Sequence, residues 1–156
     1  DGVPAVSWTE ISDHIAKDSV NFSFSDPSEI IIEAEETDDP VHIINVKEDV
    51  DYIEFALISP AAATIAALGG GTATGDKWEA PSSLPEINKS VKITTKTINS
   101  KYIEYTIVNG KIQTKFSQAP GKQQEEQFSV RVYIQAAKTD AGVVNTPFIR
   151  EIQDAT

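Results

Sequence analysis

The stretch VDYIEFALISPAAATIAALGGG (residues 50–71) decides the fold class, because it joins a strand pattern directly to a short helix pattern. Its first part is rich in β-branched and aromatic side chains, which favour a strand. The alanine-rich part that follows predicts a helix, and it ends in three consecutive glycines. Ser59 is expected as the N-cap of this helix, Pro60 as its first residue and Gly69 as its left-handed C-terminal cap.

The glycines do not predict a phosphate site, because they lie at the wrong end of the helix. A phosphate-binding loop precedes a helix, so that its amides and the positive end of the helix dipole face the phosphates. Gly69, Gly70 and Gly71 follow the helix instead, at its negative end. The helix is therefore expected to be structural, with Ile65 and Leu68 packing on a sheet.

The rest of the chain mostly alternates apolar and polar residues, which predicts strands. The alternating segments are VNFSF (20–24), EIIIEAEE (29–36), VHIINV (41–46), SVKITTKTI (90–98), KYIEYTIVNGKIQTKF (101–116) and FSVRVYIQAA (128–137). Asn109-Gly110 inside one of them predicts a tight hairpin turn. Ser7 and Glu10 form a capping-box pattern, which indicates a short helix near the N-terminus.

These patterns predict a mainly β protein, an antiparallel β-sandwich or open barrel with one short flanking α-helix. Residues 1–156 are expected to form one domain. Residues 1–18 are expected as an N-terminal arm. Residues 139–156 are expected as either a final strand or a C-terminal arm.

Charge is distributed unevenly along the chain, which has 24 acidic and 13 basic residues and a net charge of −11. Residues 1–60 carry a net charge of −13 and residues 61–156 a net charge of +2. Phosphate affinity comes from lysine and arginine, so neither nucleic-acid binding nor membrane binding is expected. The asymmetry indicates either ordinary solubilising charge or self-complementarity between copies.

No catalytic or cofactor-binding motif is present in the sequence. Cysteine is absent, which excludes disulfides and cysteine-based zinc sites. His14 and His42 lie outside known catalytic spacings, and His42 is expected as a half-buried structural residue. No enzyme activity and no cofactor are predicted.

An acidic cluster is the one candidate contact site in the sequence. It consists of Glu33, Glu35, Glu36, Asp38 and Asp39. A calcium loop needs a glycine for its sharp turn, but Pro40 follows the cluster and no glycine lies within it, so no metal site is predicted. A solvated loop or a contact between subunits is expected instead.

The order of these features resembles the tail tube (major tail) proteins of long-tailed bacteriophages, which are similar to injection-system tube proteins. The resemblance covers residues 8–137. It rests on DSVNFSFSDPSEIIIEAEETDDPV (18–41), VDYIEFALI (50–58) leading through Ser59-Pro60 into ALGGGT (67–72), DKWEAP (76–81), KSVKI (89–93) and a late hairpin.

The resemblance implies a non-enzymatic virion protein made in the cytoplasm of the host bacterium. Its subunits would form hexameric rings that stack into a hollow tube, contact other tail proteins and let genome DNA pass without binding it. In the family a long loop between early strands contacts the neighbouring ring, and the acidic segment EAEETDDP (33–40) matches that loop by position. The lysines expected to receive it are Lys92, Lys96, Lys111 and Lys115.

Two alternatives to a phage tube are left open by the sequence. One is the inner-tube protein of a contractile injection system, which shares the fold. The other is a secreted β-sandwich that binds carbohydrate, which requires exposed aromatic side chains on one face. The candidates for such a face are Trp8, Trp78, Tyr102 and Tyr105.

Overall fold

The chain is built on a six-stranded antiparallel sheet, seen in a computed structural model that describes residues 3–11, 13–33, 35–36 and 39–155. The elements in chain order are β1 (Asn21–Ser23), β2 (Ser28–Ile32), β3 (His42–Val46), β4 (Tyr52–Ile58), α1 (Ala62–Gly69), β5 (Thr72–Thr74), β6 (Lys77–Glu79), β7 (Ile87–Thr94), β8 (Lys101–Gln118), β9 (Gln127–Ile134), β10 (Ala137–Lys138), β11 (Val144–Asn145) and β12 (Phe148–Asp154). The predicted mainly β class with one short helix is confirmed, and the sheet curls into a half-barrel.

Strand β8 pairs with three other strands of the main sheet. The strand order is β1-β4-β9-β8-β12, and β7 lies on the other edge of β8. With 18 residues, β8 is long enough to pair with β9 along its C-terminal half and with β12 along its N-terminal half. Strands β9 and β12 therefore lie end to end on one edge of β8. The residues between them leave the sheet as the small β10–β11 hairpin.

The core lies on one face of this sheet, under the helix. Alternate residues of β4 and β9 point into it, because successive side chains of a strand project to opposite faces. The buried cluster consists of Ile53, Phe55, Leu57, Ile65, Leu68, Ile107, Ile112, Phe128, Val130 and Val132. The opposite face of the sheet is polar.

The helix begins and ends later than the sequence predicts. Its N-cap is Ala61, not Ser59, and Pro60 lies before the first turn. The reason is a distant carboxylate: Asp13 accepts a hydrogen bond from the Ala61 backbone N–H at 3.1 Å and another from the Thr64 hydroxyl. These bonds place a negative charge at the helix N-terminus, where the helix dipole favours it.

The C-terminal cap is Gly70, not Gly69, because the left-handed conformation begins one residue later than predicted. Gly70 has φ +76° and Gly71 has φ +89°, whereas Gly69 is the last helical residue. Gly69 is needed for space instead. A Cβ atom there would lie 2.7 Å from Thr114 Oγ1 and 3.3 Å from Phe128 Cζ. The glycine tail thus seats the helix end closely on β8 and β9.

The predicted hairpin turn at Asn109-Gly110 is wrong, because β8 runs straight through it. Gly110 sits where three strands crowd together, and a Cβ atom there would lie 2.5 Å from Val132 Cγ1 and 3.1 Å from the Lys89 carbonyl oxygen. The two-residue turn before β8 is Asn99-Ser100. Both residues have positive φ, at 52° and 59°, as a type I′ turn requires.

The two terminal segments are both tied to the main sheet. No helix is present in residues 3–11 and 13–20, so the predicted N-terminal helix is wrong for the described part of that segment. Ile15 forms a β-bridge with Leu57, and the Ala16 backbone N–H donates to the Ala56 carbonyl oxygen at 2.8 Å. At the C-terminus β12 pairs with β8 over its whole length, so the final-strand alternative holds for that part.

Replacing Gly69 with valine is expected to lower the free energy of unfolding by about 1–3 kcal/mol, because the side chain would overlap Thr114 and Phe128. Urea denaturation of the two proteins measures the difference. Ala67→Val is the matched control, since Ala67 is an exposed residue of the same helix and shares the cost of a β-branched side chain. Equal destabilisation by the two substitutions would contradict the close packing of the helix end.

Candidate functional site

The β2–β3 hairpin stands apart from the main sheet, because its strands pair only with each other. Residues paired in register share a face, so its isoleucines divide between two faces. They are Ile30, Ile32 and Ile44 on one face and Ile31 and Ile43 on the other. All five remain 43–58% exposed. An isolated two-stranded hairpin is marginally stable in water, so both faces are suited to contact with another surface.

The base of this hairpin is clamped by the carboxylate of Asp51. Asp51 Oδ1 accepts from the Ser25 backbone N–H at 3.1 Å and from the Ser25 hydroxyl at 3.3 Å. Lys47 donates to Asp51 Oδ2, and the Asp51 side chain is 13% exposed. Ser25 precedes β2 and Lys47 follows β3, so one carboxylate ties both ends of the hairpin to the start of β4.

This clamp lowers the pKa of Asp51. Burial of the carboxyl group raises the pKa, but the hydrogen bonds from Lys47 and Ser25 together with the Lys47 charge outweigh burial. The ionised form of Asp51 is therefore the one that holds the hairpin base.

The acidic cluster lies at the tip of the hairpin, in the connection between β2 and β3. Glu33, Glu35, Glu36 and Asp39 are all exposed, and Asp38 lies outside the described residues. In the part of the chain that the structure describes, no group of three or more potential ligands could hold a metal ion. The tip is therefore a negatively charged end on an apolar hairpin.

The polar face of the main sheet carries cations that are matched by carboxylates. Arg131 on β9 donates to Glu54 Oε2 on β4 from Nη2 at 2.8 Å and from Nε at 3.2 Å. Ser129 donates to the other Glu54 oxygen at 3.2 Å. An open cavity of about 110 Å³ beside this pair is also lined by Lys115.

Both members of this pair are held in their charged forms. The pKa of Glu54 is lowered, first by the hydrogen bond from Arg131, against the opposing effect of burial. The pKa of Arg131 is raised, first by its hydrogen bond to the Tyr133 hydroxyl and then by Glu54. Glu54 and Arg131 are thus a fixed ion pair on the sheet surface.

The four lysines expected to receive the acidic loop differ in their surroundings. Lys92 and Lys111 are already paired within the chain, with Glu104 at 3.3 Å and with Glu86 at 3.0 Å. Lys115 helps to lower the pKa of Glu54. Lys96 is exposed and makes no ion pair with any described residue. Lys96 is thus the member of this set whose charge is most available to a partner.

The histidines and aromatic residues singled out in the sequence do not form a common site. His14 and His42 are both exposed, so the expectation that His42 is half-buried is wrong. Trp78 packs on the core side of the sheet and donates to the Gly70 carbonyl oxygen at 2.9 Å. Trp8 instead lies under the ammonium group of Lys92, 5.0 Å from Nζ to the ring centroid.

The two remaining aromatic candidates also lie on different faces. Tyr105 pairs in register with Ile93 on the core side. Tyr102 lies three residues before Tyr105 on β8 and therefore points to the polar side. The four aromatic residues singled out in the sequence are therefore divided between the two faces of the sheet.

The chain matches no protein-family model and no curated protein. Among the described residues, no helix has the length and apolar character needed to cross a membrane.

Two functional features escaped the sequence patterns. No local pattern marks Asp51, because its role depends on Ser25, which lies 26 residues away. The second is a group of aromatic rings on the core face, carried by β1, β8, β12 and the residue after β1. Its one local signal is the alternation of Phe22 and Phe24 in VNFSF.

Replacing Asp51 with asparagine is expected to destabilise the fold by about 1 kcal/mol at neutral pH, because the charge-assisted hydrogen bonds at the hairpin base are lost. The folded-state pKa of Asp51 is lowered, so its stabilising effect is present above the unfolded pKa and disappears as pH falls through the folded pKa. The difference between the two proteins should therefore be constant from about pH 5 to 7 and shrink below about pH 4.

Urea denaturation across this pH range measures that difference. Asp49→Asn is the matched control, because the exposed Asp49 contributes only its backbone carbonyl oxygen to the hairpin base. A stability difference for Asp51→Asn that stays unchanged down to pH 2 would rule out the ionised clamp.

Proposed function

We propose that this protein is a structural subunit that self-assembles into hexameric rings, which stack into the hollow tail tube of a long-tailed bacteriophage. In this function it is a non-enzymatic virion protein, made in the cytoplasm of the host bacterium. Its partners are other copies of the chain and other tail proteins, and genome DNA passes through the bore.

The observation that carries the proposal is the two-faced apolar hairpin. Five isoleucines are about half exposed on a hairpin that packs mainly against itself. Burying the exposed half of each isoleucine contributes roughly 1 kcal/mol, so contact with further copies gains roughly 5 kcal/mol before the cost of association. A large exposed apolar surface marks a contact site, and in a polymerising subunit further copies would cover it.

The edges of the main sheet support lateral assembly. Within the described part of the chain, no strand pairs with the outer edge of β7 or of β12. Unpaired edges are templates for pairing with another chain, and closure of a ring removes them. Neighbouring subunits in a ring would thereby join their sheets.

The polar face of the sheet is suited to line a DNA conduit. A basic wall would bind phosphates at every ring, because each lysine contact releases counterions. Basic side chains do lie on this face, but Lys92, Lys111 and Arg131 are each paired with a carboxylate, and the charge of Lys115 acts on Glu54. A wall of neutralised pairs gives DNA little to bind.

Charge asymmetry supports contact between stacked rings. The hairpin tip presents exposed acids, whereas residues 61–156 carry 11 of the 13 basic residues. A negative tip that meets a more basic surface of the next ring gives stacking a direction.

Purified protein is expected to form rings or hollow tubes in negative-stain electron micrographs, and species of hexamer size or larger in light scattering. The double variant Ile43→Thr/Ile44→Thr, with one change on each hairpin face, should stay monomeric and folded because both residues are exposed in the single chain. Leu84→Thr is the matched control, since Leu84 is 94% exposed outside the hairpin.

A wild-type protein that remains monomeric across protein concentrations and salt concentrations would overturn the proposed function. If the hairpin variant assembled at the same protein concentration as the wild type, the hairpin would not be part of the contact between copies.

A further inference from the structure

A second apolar surface, here called the aromatic patch, lies on the core face of the sheet away from the helix. It consists of Phe22, Phe24, Tyr105 and Phe148. The ring centroids of Phe22 and Tyr105 are 4.9 Å apart, those of Phe24 and Phe148 are 5.5 Å apart, and those of Tyr105 and Phe148 are 6.1 Å apart. Phe22 is 38% exposed and Phe24 is 49% exposed. The rings are thus packed on one another and open to solvent on one side.

The patch is open because β8 is longer than the layer that covers it. Helix α1 and Trp78 pack on the half of the face formed by β4, β9 and the C-terminal half of β8. The N-terminal half of β8 and β12 extend beyond this layer. Ile152, which pairs in register with Ile103 on the same face, is 57% exposed. A sheet face with this apolar character normally packs against a second layer.

We infer that the β2–β3 hairpin of a second copy covers the aromatic patch, an inference that rests on the self-assembly proposed above. The hairpin and the patch are both apolar surfaces on regular structure that the described part of the chain leaves uncovered. The hairpin lies over the neighbour's β1, β8 and β12 as α1 lies over the other half of the same face. One hairpin face contacts the patch, and the other remains for a further contact in the assembly.

Charge complementarity supports the hairpin of a second copy as the segment that covers the patch. Arg150 shares the face of the patch, because it pairs in register with Tyr105, and it is exposed. Among the described residues it has no carboxylate within ion-pair distance. The exposed acids at the hairpin tip, such as Glu35 and Glu36, supply the charge that Arg150 lacks.

The clamp at the hairpin base favours a neighbour's patch over the chain's own. Ser25 directly follows Phe24 of the patch, and Asp51 ties Ser25 to the start of β4. Few residues therefore connect the patch to the hairpin. The chain would have to reverse its direction within them for the hairpin to cover the patch of its own chain. Within the single chain, β2 and β3 instead pack mainly on each other.

Cross-linking tests the contact directly, because the chain has no cysteine of its own. Ile43→Cys and Ile152→Cys are placed in separate copies, mixed in equal amounts under assembly conditions, and oxidised or treated with a short bis-maleimide. We expect the mixed species to form at least about tenfold more of the heterodimer than a mixture of Ile43→Cys with Leu84→Cys. The double variant Ile43→Cys/Ile152→Cys is expected to give cross-linked oligomers and no internally linked monomer.

A charge exchange provides the second measurement. Arg150→Glu is expected to raise the protein concentration needed for assembly by about tenfold or more, and the double change Glu35→Lys/Glu36→Lys in the same chain is expected to restore it.

The inference is overturned if the wild type assembles while the heterodimer does not exceed its control and Arg150→Glu assembles normally. In that case the proposed function stands with a different hairpin contact. An internally linked monomer would place the hairpin on its own patch and also overturn the inference. A wild type that never assembles would overturn both proposals.

Discussion

Five isoleucines on a two-stranded hairpin are the constraint on which the account depends. Alternation places them on both faces, so no single layer of the chain's own fold could bury them all. The Asp51 clamp then fixes where the hairpin leaves the sheet, and the acids give the tip of the hairpin an exposed negative charge. These features are the ones on which the proposed assembly from identical copies depends.

The length of β8 explains why one half of the core face has no second layer over it. A strand of 18 residues supports two successive partners on one edge, whereas a helix of eight residues covers only one half of the sheet. As a result, α1 covers one half of the core face, and the aromatic half of that face, which includes β12, is uncovered. On the polar face opposite, Lys92, Lys111 and Arg131 are paired with carboxylates within the chain. Under the proposed function, assembly would use the apolar face and DNA would pass along the polar face.

Sequence patterns predicted what depends on neighbours along the chain and missed what depends on distant residues. Alternation located most strands and the alanine-rich run located the helix, but the helix cap belongs to Asp13, which lies 48 residues before Ala61. Asn109-Gly110 has the local signature of a turn, yet Gly110 is needed because Val132 and Lys89 approach it from other strands. The acidic tip was visible in sequence, while the clamp and the aromatic patch arise only when β1, β4 and β12 come together.

Amide hydrogen exchange of the hairpin, in the dilute subunit and in the assembled protein, tests most directly whether further copies complete the fold. We expect fast exchange of the Ser28–Ile32 and His42–Val46 amides in the dilute subunit and exchange slowed by about a hundredfold or more on assembly. The amides of β4 should be slow in both states, because β4 is paired on both edges within the chain. Equal protection of the hairpin in both states would contradict the account.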